Sequence, residues 1–252
     1  MKSTFRIASV AIRELLHERV VYLLLGFAIG ALALSILLGQ LTYIEHAQLT
    51  LDFLLAGQHL AMCAFSVFVG IALFQRELAS GSVAMVLSKP VPRWSFLVGK
   101  YLGQVVVQST VIVGMGLIVY LVGTALGKAP LTSIAQATLM TILECAVLAA
   151  AAFFFAVNAG ALTAAIGCVG LFLAGHFRVG AIQGSTTTDI FTKTVLRGLF
   201  PDLEIFNMRL LASYGLNLAS DAVWLAVVYG FLASAFFLTL ACLCFEHRDV
   251  HT

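Results

Sequence analysis

From Ala129 to Phe177 the chain carries one Asp, Glu, Lys or Arg, which is Glu144. A helix needs about 20 apolar residues to cross a bilayer core roughly 30 Å thick, and this run is long enough for two crossings. Asn158 and Gly160 are its natural break. Uncharged runs of crossing length also precede and follow it, giving spans at about 20–40, 53–75, 95–127, 130–157, 159–177 and 221–245. Across the 252 residues only 10% are charged and 61% are hydrophobic. Soluble domains carry about a quarter charged residues and have too little interior to hide so much apolar surface. A disordered chain needs more charge, and a net charge of +2 leaves no electrostatic footprint for nucleic acid. The expectation is an all-α, polytopic membrane protein: a single transmembrane domain of six helices, with lipid as its surroundings.

Orientation follows from the loop cations. Lys2, Arg6, Arg13, Arg19, Arg76, Lys89, Arg93, Lys100 and Arg248 fall on one side, and Lys128, Arg178, Lys193, Arg197 and Arg209 on the other. Nine against five places both termini and the 76–94 loop in the cytoplasm. The first apolar run is too long for the core of a secretory signal and lacks an Ala-x-Ala cleavage site, so it is read as a retained span.

The polar residues gather in three places. Residues 3–19 read as an amphipathic elbow helix, with Phe5, Ala8, Ile12, Leu15 and Leu16 on one face. Arg6, Ser9, Arg13 and His17 lie on another, and Arg19 closes the segment. The segment fits a helix in the headgroup layer, and equally a plain positive-inside flank. Residues 76–94 are more chain than a turn needs. Arg76 and Glu77 end a span, Gly81 and Ser82 follow, and Val83, Val86 and Leu87 share one side of a short helix. Pro90 and Pro92 then force extended backbone before Arg93, and Trp94 and Lys100 read as interfacial anchors. An apolar face offered to the cytoplasm needs cover from a soluble partner or from the bundle itself. The third place, 178–220, reads as an external cap. Asp189 or Thr188 starts one helix that stops at Gly198, and Pro201-Asp202 starts another that ends near Tyr214-Gly215.

The pattern Arg76-Glu77…Gly81-Ser82…Leu87-Ser88-Lys89-Pro90-Val91-Pro92-Arg93…Gly99-Lys100 resembles the first cytoplasmic loop of ABC-2-type transporter permeases. Six spans, an N-terminal elbow and the segment Leu199-Phe200-Pro201-Asp202-Leu203-Glu204-Ile205-Phe206-Asn207 are similar to that family as well. The resemblance implies a membrane subunit, an exporter, without catalytic residues or a metal. Two protomers, as a homodimer, would be driven by two copies of a P-loop ATP-binding subunit. Arg76, Glu77, Gly81, Ser82, Val83, Val86, Leu87, Pro90 and Arg93 would form the coupling loop that docks on that subunit. Residues 178–220 would form lateral or re-entrant helices, with Phe200, Pro201 and Phe206 as gate or cap. The implied site is the inner membrane of a bacterium. No cofactor is expected on this chain, because it has no GxxxxGK[ST] loop: Gly123-Thr124-Ala125-Leu126-Gly127-Lys128 has the wrong spacing. ATP and magnesium then belong to the partner.

Three further features have two readings each. Gly26 and Gly30 form a GxxxG, and Gly160, Ala164 and Gly167 form a small-residue stripe. Either set packs within one bundle or meets a second protomer. Glu144 lines a pathway, pairs with a cation on another span or binds a proton, or it is a structural carboxyl bonded to a neighbouring helix. His176 and Arg178 read as interface anchors at a span end. The cysteines at 63, 145, 168, 242 and 244 have no CxxC spacing and read as ordinary membrane-buried thiols. An intramembrane enzyme needs a catalytic pair, and HExxH, GxSxG and paired aspartates are all missing. A secondary transporter needs an inverted repeat with several midplane charges. A related reading within the resembled family has the complex transmit ATP-driven motion to a partner protein or assembly instead of moving a substrate.

Overall fold

The computed structural model describes residues 2–16, 46–79, 92–127, 131–176, 201–217 and 219–247, together with positions 26, 30 and 33. The described residues are helical, with no strand among them. Among the described residues, α-helices run in the order α1 (Lys2–Leu16), α2 (His46–Ala79), α3 (Arg93–Ala125), α4 (Leu131–Asn158), α5 (Ala161–His176), α6 (Arg209–Ser213) and α7 (Ser220–His247), with a 3-10 turn at Glu204–Phe206. Among these, α2, α3, α4 and α7 are long and apolar enough to cross a membrane. The chain is thus a multi-pass membrane protein. At 16 residues, α5 spans about 24 Å, less than the thickness of a bilayer core. The expected span 20–40 lies outside the described residues apart from positions 26, 30 and 33, as does most of the expected coupling segment.

At the centre is α4. From Val147 to Phe153 every residue is fully buried, and four of them in a row, Ala149 to Ala152, are alanine. Small side chains let neighbouring helices approach on all sides, the usual basis of helix packing in lipid. The closest approach comes from α2: a Cβ added at Gly70 would stand 2.9 Å from the Cβ of Ala152. Around this axis α2 is mostly interior, whereas α3 and α7 turn large apolar side chains outward, among them Val113, Leu117, Trp224, Phe231 and Phe236. For a bundle in lipid an apolar exterior is the expected solvent match.

Polar side chains inside the bundle act between helices. Ser66 Oγ donates to the Cys145 carbonyl at 2.6 Å, and Gln104 Nε2 donates to the Ser66 carbonyl at 2.8 Å. Gln58 Nε2 reaches the Ile112 carbonyl at 3.3 Å. These bonds tie α2 to α3 and α4 where apolar attraction between helices is weak.

Helix α1 follows the amphipathic pattern of its sequence. Ala8, Ala11 and Leu15 are buried, while Ser9, Val10 and Arg13 face out. The buried stripe lies on α3 at Gly103, where an added Cβ would meet the Ala11 Cβ at 2.7 Å and the Ala8 carbonyl at 3.0 Å. The elbow segment therefore packs directly on its own bundle.

Two loop features end helices. Gly127 (φ +70°) follows α3, and Gly215 (φ +71°) follows α6. After α6 the Leu216 amide bonds back to the Leu211 carbonyl at 2.8 Å, the closure that a left-handed glycine makes possible. The expected helix from Pro201 to Tyr214 is two short pieces, Glu204–Phe206 and Arg209–Ser213, because Asn207 leaves helical geometry between them (ψ 84°). The helix expected from Thr188 or Asp189 to Gly198 lies outside the described residues.

Candidate functional site

Two polar constellations stand out, one at each level of the bundle. The first lies at the end where α2 finishes and α3 begins, termed here the loop end. Lys100, 4% exposed, sits about two turns into α3. Its Nζ reaches Glu77 Oε1 on α2 at 2.6 Å and Glu14 Oε2 on α1 at 2.7 Å. A buried ammonium is costly unless carboxylates replace its water, and two do so here. Lys100 is therefore not the interfacial anchor its position implied; it is the pin joining three helices. Trp94, 46% exposed, does stand at the surface. Beside the pin, Gln75 Nε2 donates to the carbonyls of Ala156 (3.1 Å) and Ala159 (2.8 Å), taking up acceptors that the end of α4 leaves open. The ends of α1, α2, α3 and α4 are thus cross-linked at the base of the 80–91 segment.

The second constellation lies near the midpoint of α4. Glu144, with no exposed surface, meets His59 from α2, whose Nε2 stands 2.6 Å from Glu144 Oε2. From the end of α5, His176 Nε2 stands 3.5 Å from the other oxygen, Oε1. Cys63, one turn beyond His59 on α2, places its Sγ 3.7 Å from Glu144 Oε1 and 3.7 Å from His59 Nε2. His176 Nδ1 lies 3.2 Å from the Phe172 carbonyl. That oxygen only accepts, so Nδ1 donates, and the ring orientation is set by its own helix. The Phe172 ring covers the cluster, with centroids 4.5 Å from His176 and 6.4 Å from His59.

The segment 201–206 closes over this region from the opposite end. Leu203 fits against Gly175, where an added Cβ would meet it at 2.7 Å. Phe206 fits against Gly230 of α7 and stacks near Tyr229, centroids 6.0 Å apart. The Asp202 amide donates to the Tyr229 hydroxyl at 2.6 Å.

The family model for ABC-2 family transporter proteins matches residues 31–250. The chain belongs to the ABC-2 transporter family. The match takes in both constellations except the Glu14 arm of the pin. No curated protein matches the chain. Family membership makes this chain an ABC permease subunit of the membrane, one that works with an ATP-binding subunit.

The residues singled out in the sequence occupy varied positions in this ABC-2 permease. Glu77 joins the pin, Arg76 is exposed beside it, and Arg93 opens α3. Gly81, Ser82, Val83, Val86, Leu87 and Pro90 lie outside the described residues, as do His17, Arg19 and Phe200. Of the elbow cations, Arg6 lies within α1 and Arg13 is exposed on it. Phe206 is buried and Pro201 half-buried. The small-residue stripe of α5 divides. Ala164 is fully buried and Gly167 lies against the Phe155 ring, so both are occupied within the chain. A Cβ at Gly26, Gly30 or Gly160 would meet nothing within 4 Å. Glu144 has imidazole partners its sequence context hid: His59, inside an apolar span, and His176, which turns inward instead of anchoring an interface.

Proposed function

We propose that this permease is the membrane half of an ATP-binding-cassette exporter, moved through alternating access by a separate ATPase. Two copies form a homodimer in a bacterial inner membrane, with both termini cytoplasmic, and two ATP-binding subunits dock beneath it. ATP and its magnesium stay on those subunits. The 76–94 segment is the coupling element, and Phe200, Pro201 and Phe206 belong to the cap at the outer end. Gly26, Gly30 and Gly160, open on the described surface, are the small residues left for a second protomer.

The observation that carries this reading is the Lys100 pin. A push on the 80–91 segment arrives where Glu77, Lys100 and Glu14 join α2, α3 and α1, and where Gln75 holds the end of α4. Helices fastened at one end move together, which is what rigid-body rocking of a bundle requires. A loop joined to a single flexible helix end would dissipate the same push.

The test is ATP hydrolysis by the reconstituted complex of this chain with its ATP-binding subunit. Gly81→Trp and Leu87→Asp should leave the complex assembled while hydrolysis no longer responds to the permease. Unchanged coupling in both variants contradicts the assignment of 76–94.

A further inference from the structure

We propose that His59, Glu144 and His176 form a binding site for one divalent transition-metal ion of the zinc class, with the Cys63 thiolate as fourth ligand. The site goes beyond the transport reading and holds whatever the permease moves.

Ligand type is the first argument. His59, Glu144 and His176 come from three helices, and their ligand atoms lie within 4.8 Å of one another. Two imidazoles and one carboxylate suit zinc and its neighbours, and a thiolate strengthens that preference. Calcium and magnesium prefer oxygen cages, and a single carboxylate among nitrogen and sulfur is a poor one.

The orientation of His176 is the second. With Nδ1 donating to the Phe172 carbonyl, the neutral ring offers a lone pair at Nε2. This backbone bond is the outer-shell arrangement that usually fixes a metal-binding histidine. Nε2 is buried and has no hydrogen-bond partner among the described residues, yet it faces Glu144 Oε1 at 3.5 Å. Two acceptors facing each other in a low-dielectric interior repel unless a positive centre lies between them.

Distances are the third. Tetrahedral zinc with bonds of about 2.0–2.3 Å places its ligands about 3.4 Å apart. The His176–Glu144 separation of 3.5 Å and the 3.7 Å contacts of Cys63 are already near that spacing. The 2.6 Å His59–Glu144 contact must open by less than about 1 Å, which a carboxylate rotation supplies. The wider separations, up to 4.8 Å among the two histidines and Glu144, must close, and Cys63 must swing toward His176. An apolar groove of about 230 Å³ between α2 and α5, lined by Leu60, Cys63, Phe68 and Phe172 among others, borders the cluster at Cys63. A bound ion would fasten α5 to α2 and α4 at mid-depth.

The experiment is metal retention by the full-length chain, purified in detergent, stripped with a chelator and reloaded with Zn²⁺. About one ion per chain should remain after gel filtration. Co²⁺ in its place should give tetrahedral ligand-field absorption with a thiolate charge-transfer band, and Cys63→Ser should remove that band while Cys168→Ser leaves it. His176→Gln and Glu144→Gln should each weaken retention by about 100-fold or more at unchanged elution volume. The wild-type measurement stands by itself if a variant fails to fold. A stripped chain that takes up no zinc, as expected if the cluster holds a proton only, overturns the proposal. So does retention that survives both ligand variants, or a Co²⁺ spectrum of octahedral form.

Discussion

Lys100 Nζ and Glu77 Oε1 stand 2.6 Å apart at the point where the chain leaves α2 and re-enters the bundle as α3. The contact closes the base of the segment between them, and Glu14 extends it to α1. Lys100→Met removes the ammonium that Glu77 and Glu14 share. Such a loss should destabilise the purified chain by about 2–4 kcal/mol, below the roughly 3–5 kcal/mol of a fully buried broken pair because Glu77 and Glu14 keep partial exposure. Glu14→Gln, whose partner retains Glu77, should cost less than about 1 kcal/mol because Glu14 is a third exposed. Thermal unfolding in detergent measures both, and equal losses would show that the pin does not discriminate between its arms.

The crossing of α1 over α3 depends on a missing side chain. Gly103→Ala puts a Cβ 2.7 Å from that of Ala11, and neither backbone can yield cheaply. A loss of about 1–3 kcal/mol is expected, as for other overpacked contacts. Ala11→Gly in the same chain should recover a large part of it. A Gly103→Ala variant as stable as the parent means that α1 does not rest there.

At the opposite end, Leu203 against Gly175 makes the same kind of lock. Gly175→Ala should loosen the 201–206 segment, read as faster proteolysis or hydrogen exchange of that segment, and Leu203→Ala should relieve it. Tyr229→Phe removes the acceptor of the Asp202 amide and should cost about 1 kcal/mol. Exchange confined to other segments would contradict the placement of this cap.

His59 and Glu144 should be energetically coupled. In a double-mutant cycle with His59→Phe and Glu144→Leu, each single change strands a polar partner in the interior, and the pair together strands less. A coupling of about 1–2 kcal/mol is expected, at the upper end of values measured between membrane helices. Additive losses would mean that the 2.6 Å contact is not formed in the folded chain.

Fold class was legible because charge scarcity in long runs is a one-dimensional signal: a helix in lipid must be apolar along its whole length. The elbow was legible as a helix because Ala8 and Leu15 repeat at helical spacing. The pin was not, since nothing in the sequence brings Glu14 to Lys100. Position alone made Lys100 an anchor, whereas burial and two carboxylates make it a joint. The cluster around Glu144 was half legible. Glu144 announced itself as a lone acid, but His59 counts as uncharged in any tally of Asp, Glu, Lys and Arg. The signal available was His59 with Cys63 one turn on, two ligand-type residues on one face of an otherwise apolar helix. His176 was misplaced because a histidine at a span end has two destinations, and only the packing of α5 on α2 and α4 selects the inner one.

The central claim is that this ABC-2 permease is a transmission driven by a separate ATPase. The most direct measurement is the composition of the complex isolated from native membranes through a tag on this chain, read by intact-complex mass. The account predicts two copies of the chain with two copies of a P-loop ATP-binding subunit. It also predicts that Gly81→Trp isolates the same assembly with uncoupled hydrolysis. Recovery of the folded chain with no ATP-binding subunit under any nucleotide condition would contradict it.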